Sequence, residues 1–293
     1  MDYLLAILSG ILQGATEFIP VSSSAHLVIL RAFAPAALDA AAMDAFLHLG
    51  SLAGLMLALQ EDLGHICGQL LLIVRDALKN AGIFLKSMRD REEPRYARTL
   101  TSNYRRLALL ILAASLPTAI VGLLLRRLAL RFYGSTLYTG AGLMITGVVI
   151  LVVSRVQPSG RLPKEIPVKR GFLAGLVQGI CVLPGLSRAG MTMSVAILLG
   201  FGRKMAVRYA YLIGIPAIAG AGILELVLAG TAGLITAELL GMYLAGMAAA
   251  CLASFVFVKG LLSLSRSLPL AVFAVYNILL GVAAIALHLM PPA

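Results

Sequence analysis

Between Gln13 and His26 the chain carries one carboxylate (Glu17), three successive hydroxyls (Ser22, Ser23 and Ser24) and one imidazole. Between Gln178 and Thr192 it carries a lone arginine, Arg188, preceded directly by Ser187. An arginine inside an otherwise apolar segment requires an anion beside it, and its planar fork matches phosphate bidentately. Arg188 and Thr192 are four residues apart, as are Gln13 and Glu17, so each pair shares one helix face. A carboxylate at the same depth is open to three roles: general base, metal ligand, or ion-pair partner of Arg188. His26 follows Ser23 by three residues and Ser22 by four, which suits an acid–base, a nucleophile in phosphoryl transfer, or a hydrogen-bonded packing residue. Each serine is open to a helix cap or to chemistry. His48 lies in an apolar run and is a weaker candidate, whereas His65 and His288 read as peripheral.

The elements that position these groups are membrane helices. Of 293 residues, 60% are hydrophobic and 13% charged, with a mean hydropathy of +0.96. Soluble domains carry about 25% charged residues, so a polytopic all-α membrane protein is expected. The runs are too long and too uniformly apolar for the alternating strands of a β-barrel. The net charge of +11 does not point to nucleic acid, because the basic residues sit mostly in loops between apolar runs. Six runs are long enough to cross a bilayer: 43–60, 104–125, 136–156, 206–229, 234–258 and 268–289. Residues 63–80, flanked closely by charges, read as an interfacial helix rather than a seventh crossing, and 86–106 as a solvated basic loop. Tyr138 and Tyr209 read as interface anchors.

Two further apolar segments, 3–32 and 172–200, are broken midway by Pro20 and by Pro184-Gly185. Non-helical backbone at membrane depth survives only when buried in protein or lining a wet cavity. The half-helices that follow start at serines, and their free N–H groups and positive dipole ends favour an anion. Gly10 to Gly14 aligns with Gly175 to Gly179, and Phe46-Leu47 with Tyr211-Leu212, both at an offset of 165. Pro20 and Ser23 fall on Pro184 and Ser187 at an offset of 164. The expectation is one membrane domain of two inverted repeats, 1–160 and 170–293, each with a re-entrant pair and three crossings. On this topology nineteen of the 24 basic residues share one face, which places that face in the cytoplasm and both termini outside.

Gln13-Gly-Ala-Thr-Glu17-Phe-Ile-Pro20-Val-Ser-Ser-Ser-Ala-His26 resembles the first signature of the bacterial undecaprenyl-diphosphate phosphatases, also called bacitracin-resistance proteins. Pro184-Gly-Leu-Ser187-Arg188-Ala-Gly-Met-Thr192 resembles the second. The resemblance implies six crossings and two re-entrant helix pairs in inverted repeats, in a multi-pass protein of the bacterial inner membrane. It implies hydrolysis of a prenyl diphosphate lipid to the monophosphate plus inorganic phosphate, recycling the carrier for cell-wall peptidoglycan synthesis. It also implies a divalent cation, Mg2+ or Ca2+. By position, Glu17 matches the second acid of an acidic pair, Ser23 the nucleophile and His26 the essential histidine. Ser187, Arg188 and Thr192 match the phosphate-binding set. Ser22, Ser24, Gln13 and Gln178, polar groups of the two broken segments, are expected beside them as further substrate-binding residues. Gln13 stands where the family carries the first acid, leaving Glu17 as the remaining carboxylate ligand for a cation. Ser24-Ala25 stands where Thr-Gly usually precedes the histidine, a change that keeps a hydroxyl. The expected partners are the prenyl diphosphate and membrane lipid, not nucleic acid, and a homodimer is left open. The attacking group is left open among Ser23, His26 and water, with Glu17 or His26 handling the proton. The rival expectation is an ion-coupled transporter or lipid flippase, in which inverted repeats and broken helices are also at home.

Overall fold

In apolar surroundings every backbone N–H and C=O must find a partner within the protein, and long uninterrupted apolar runs meet that demand as helices. The computed structural model describes residues 2–33, 40–90, 93, 96 and 102–290. Among them are eleven α-helices: α1 Asp2–Thr16, α2 Ser23–Phe33, α3 Ala40–Ala58, α4 Gln60–Asp90, α5 Asn103–Phe132 and α6 Thr136–Ser154, then α7 Val168–Ile180, α8 Arg188–Leu198, α9 Arg203–Thr231, α10 Ala237–Leu264 and α11 Leu270–Leu289. A short 3-10 turn covers Pro163–Glu165, and the one extended pairing among the described residues is an isolated bridge between Arg161 and Phe201.

Helices α3, α5, α6, α9, α10 and α11 are long and apolar enough to cross a membrane, and they coincide with the six expected runs. The remaining apolar helices are too short. At about 1.5 Å per residue, the 15 residues of α1 reach roughly 22 Å against an apolar thickness near 30 Å. Each broken segment forms two such helices around a tight turn, at residues 17–22 and 181–187. The turn in the second needs a left-handed residue, supplied by Gly185 at φ +81°, where a side chain would also overlap the carbonyl of Thr139.

Packing is exchanged between the halves. Helix α1 lies along α10, α7 lies along α5, α3 meets α9, and α6 meets α11. Small residues make these approaches close, as is usual where helices associate in lipid. A methyl group on Gly10 or Gly14 would run into backbone carbonyls of α10, and one on Gly175 into the carbonyl of Ala114 on α5. Hydroxyls reinforce both seams: Ser254 donates to the Gly14 carbonyl (3.2 Å) and Thr118 to that of Gly175 (3.0 Å).

Residues 63–80 lie within the longer helix α4, which is not among the six spanning candidates. Its first half is tied to the starts of α5 and α9 by Asp76–Arg105 (2.8 Å), Gln69–Arg105 (2.9 Å) and Asp62–Arg208 (3.0 Å). Of the expected loop at 86–106, residues 86–90 continue α4, and 91, 92, 94, 95 and 97–101 lie outside the described residues. Tyr209 is a core residue rather than an interface anchor. It is fully buried, and its hydroxyl donates to the Leu110 carbonyl (3.3 Å).

Replacing Gly14 by Ala is expected to cost about 1–3 kcal/mol by forcing α1 off α10. Gly122→Ala, where an added methyl meets nothing within 4 Å, is expected to be neutral. Thermal unfolding in one detergent compares the two, and equal melting temperatures would contradict the packing account.

Candidate active site

Helix α1 continues one residue past its end, because the Glu17 N–H donates to the Gln13 carbonyl (2.9 Å). That extension keeps the Glu17 carboxylate above the Gln13 amide, as their four-residue spacing requires. Three donors converge on the carboxylate. Gln13 Nε2 (2.9 Å) and Ser23 Oγ (2.5 Å) donate to Oε2, and Arg188 Nη2 (2.9 Å) donates to Oε1. The broken segments therefore meet in one buried ion pair, with the Arg188 guanidinium also 5.7 Å from the centre of the Phe18 ring. Gln13 is fully buried behind the pair, while Ser23 and Arg188 stand half-buried at its outer side. Room for the guanidinium comes from Gly214 on α9, where a methyl group would overlap Arg188 Nη1.

The two turns are also joined directly. Ser187 is the N-cap of α8: its hydroxyl accepts from the Gly190 N–H (3.1 Å) and donates to the Val21 carbonyl (2.9 Å). Ser22 serves α2 in the same manner, accepting from the Ala25 N–H (3.4 Å), and its carbonyl accepts the His26 N–H. Capping thus matches Ser22 with Ser187 at the offset of 165, and leaves Ser23 and Arg188 both as first helical residues. Two helix N-termini and one guanidinium face a single carboxylate, an arrangement biased towards an anionic ligand.

The turn 17–22 is held at its carbonyls by side chains from three other helices. Tyr211 Oη on α9 donates to Phe18 (3.0 Å), Asn277 Nδ2 on α11 to Pro20 (2.8 Å), and Ser187 Oγ to Val21. The second turn is anchored by the Ser187 N–H, which donates to Thr146 Oγ1 on α6 (3.0 Å). Sequence reasoning missed Tyr211, Asn277, Thr146 and Gly214. A side-chain amide inside the apolar run 268–289 was a signal for Asn277, whereas a glycine making room for Arg188 leaves none.

The other expected residues are placed as follows. Ser24 Oγ lies 3.1 Å from Ser22 Oγ. Thr192 is fully buried and its hydroxyl donates back to the Arg188 carbonyl (2.7 Å), within its own helix. Gln178 Nε2 donates to Thr118 Oγ1 and the Ile213 carbonyl (both 3.1 Å), tying α7 to α5 and α9. His26 turns towards α11: Nδ1 bonds the Ser22 carbonyl (2.7 Å) and Nε2 the Tyr276 hydroxyl (2.6 Å). His48 bonds the Asp44 carbonyl (2.7 Å), and Glu225 pairs with Arg126 near the far ends of α9 and α5. Among the described residues no group of three or more His, Cys, Asp or Glu side chains could hold a metal ion.

Removing one partner of a buried ion pair strands the other charge, so Arg188→Met is expected to cost about 3 kcal/mol of stability. Adding Glu17→Leu to that variant is expected to restore most of the loss. Unfolding of both variants in detergent is the check, and a double variant less stable than the single one would contradict a buried pair.

Residues 6–283 match the family described as "Bacitracin resistance protein BacA". An Alkaliphilus metalliredigens protein named "Undecaprenyl-diphosphatase" is 33% identical over 284 residues, covering 96% of this chain and 97% of that one. Proteins of the same name from Methanosphaera stadtmanae and Korarchaeum cryptofilum are 30% and 31% identical, covering 99% and 98% of this chain and 99% and 100% of theirs. With matched segments that contain both turns and nearly every helix, the chain belongs to the bacitracin resistance protein BacA family.

Proposed function

We propose that this protein is an undecaprenyl-diphosphate phosphatase, hydrolysing the lipid diphosphate to undecaprenyl phosphate and inorganic phosphate. The observation that carries this reading is the convergence of Glu17, Ser23 and Arg188 at the meeting point of two helix N-termini. Phosphoryl transfer depends mainly on positioning and charge stabilisation, and these groups are suited to both. The names of the full-length relatives support the substrate.

In the proposed reaction the prenyl tail lies in lipid and the diphosphate enters at the outer side of the ion pair. Arg188 exchanges part of its contact with Glu17 for the terminal phosphate. Ser23 Oγ attacks the terminal phosphorus and passes its proton to Glu17, to which it already donates. The bond from phosphorus to the bridging oxygen breaks, and undecaprenyl phosphate leaves. Water then hydrolyses the phosphoserine, with His26 as acid–base, giving inorganic phosphate and free serine. The bond from Ser23 to Glu17 favours serine over His26 as nucleophile, because the hydroxyl already faces the carboxylate that takes its proton.

A divalent cation, Mg2+ or Ca2+, belongs to the same proposal. The Glu17 carboxylate and Gln13 Oε1, a buried oxygen without a hydrogen-bond partner, are the hard oxygen donors such an ion prefers. With one carboxylate and Arg188 adjacent, these residues suit a cation held jointly with substrate phosphates, where it would neutralise diphosphate charge. The excess of basic residues on one face supports an inner-membrane protein with that face in the cytoplasm and both termini outside. The exchanged packing of α1 on α10 and α7 on α5 supports two inverted repeats, 1–160 and 170–293, with both broken segments re-entrant.

Purified protein in detergent with Mg2+ is expected to release phosphate from undecaprenyl diphosphate. Ser23→Ala, Glu17→Ala and Arg188→Ala are each expected to lower the rate by a hundredfold or more, on the order expected for loss of a nucleophile, base or charge clamp. Rapid quenching with a label in the terminal phosphate is expected to trap phosphoserine at Ser23, and a label on His26 would overturn the serine assignment. Absent phosphate release, with lipid exchange in vesicles instead, would favour the transporter reading.

A further inference from the structure

Helix α4 runs for 31 residues, about 46 Å, outside the set of spanning helices. Asp62 pairs with Arg208 of α9, His65 stacks on Tyr104 of α5 with ring centroids 4.8 Å apart, and Gln69 and Asp76 both bond Arg105. These four residues are spread along about 21 Å of α4, whereas their partners on α5 are two consecutive residues of its first turn. A helix running beside a crossing meets successive turns of it, so α4 instead lies across the ends where α5 and α9 begin. Its bundle side carries buried Ile66, with Leu63, Leu70 and Ile73 packed on the core. A second apolar row is open: Leu71, Val74, Leu78, Leu85 and Met88 are each more than half exposed. Their spacing of three, four, seven and three residues keeps them on one face. Arg75, Lys79, Lys86 and Arg89, all exposed, each directly follow a member of that row and so line one flank of it. Two of them also lean on neighbouring acids, Arg75 on Asp76 (3.2 Å) and Arg89 on Asp90 (2.9 Å).

We propose that α4 is a membrane-surface helix, with its apolar row sunk among acyl chains and its basic flank on anionic phospholipid headgroups. An apolar face bordered by Lys and Arg is the pattern of helices that lie in the bilayer interface. The row continues past Asp76, the last of the four tie points, as far as Met88, so the bundle leaves its C-terminal half for lipid to cover. A second copy docked row to row about an axis along the membrane normal would set one basic flank beside another. An anionic leaflet complements the same flank, and each Lys or Arg near such a surface adds to the attraction. The helix is also coupled inward. Its Asp62 grips Arg208, three residues before Tyr211, whose hydroxyl holds the Phe18 carbonyl in the first turn. None of the lipid-facing residues belongs to the site built on Glu17 and Arg188, and testing them needs no turnover.

Spin labels on single cysteines test this in the full-length protein with Cys67, Cys181 and Cys251 replaced by Ala. Leu78→Cys and Leu85→Cys report the apolar row. Gly82→Cys, between Lys79 and Lys86, reports the basic side, where an added side chain meets nothing within 4 Å. Leu279→Cys, exposed on the spanning helix α11, verifies insertion. In bilayers of phosphatidylcholine with phosphatidylglycerol, labels on the row are expected to collide with dissolved oxygen, and the label on the basic side with a water-soluble nickel chelate. Omitting phosphatidylglycerol, or changing Lys79, Lys86 and Arg89 together to Ser, is expected to shift the row labels towards the nickel chelate and leave the α11 label unchanged. Nickel contact along the row in the anionic bilayer would overturn the inference. Oxygen contact that depends on neither the anionic lipid nor the basic residues would also overturn it. So would spin–spin broadening of the row labels that disappears on dilution with unlabelled protein, which would assign the face to a second copy.

Discussion

A carboxylate and a guanidinium taken out of water each lose several kcal/mol of solvation, and inside a membrane protein they are tolerable only as partners. Glu17 and Arg188 form such a pair across two segments that are remote in sequence. Much of the surrounding architecture serves that contact. Gln13 and Ser23 supply further donors to the carboxylate, and Gly214 leaves α9 thin enough for the guanidinium to enter. The glycine seams of α1 on α10 and of α7 on α5 set how far each broken segment is pressed into the bundle. In the proposed reaction the pair is open to substitution: a phosphate would offer Arg188 bidentate charge in place of its single bond to Glu17, and would free the carboxylate to take a proton.

The second constraint is the backbone of the turns. A turn interrupts the internal hydrogen bonding that lets a helix lie in an apolar medium, so its carbonyls must be paired from outside. Helices α8, α9 and α11 each contribute one side chain to the turn at 17–22, and α6 contributes Thr146 to the other. These bonds explain why spanning helices with few polar residues carry Tyr211, Asn277 and Thr146 where they do. They also hold the turn backbones, and with them the two helix N-termini, in a fixed relation to Glu17.

Much of this was legible in the sequence because membrane residence is a severe filter. Six apolar runs and two proline-broken ones follow from length and hydropathy, and Arg188 and Glu17 stand out because ionisable groups are rare at that depth. The division of labour among the serines was not legible. Ser22 caps, Ser24 bonds Ser22, and Ser23 alone of the three bonds Glu17, a distinction set by helix phase at a turn whose exact start the sequence leaves open. Tertiary neighbours were beyond reach too. Thr192 shares a face with Arg188 as its spacing requires, yet its hydroxyl is spent on its own helix backbone. Tyr209 has the composition of an interface anchor and the position of a core residue. Asn277 obeys the same rule that singled out Arg188, and the contact of Tyr276 beside it with His26 shows only in the fold.

The central claim is that two broken segments build one phosphate site. The most direct test is an experimental structure with a non-hydrolysable prenyl diphosphate analogue, its bridging oxygen replaced by methylene. The account predicts a terminal phosphate within hydrogen-bond distance of both the Arg188 guanidinium and Ser23 Oγ. A phosphate bound by residues of only one segment, with the Glu17–Arg188 pair undisturbed, would contradict it.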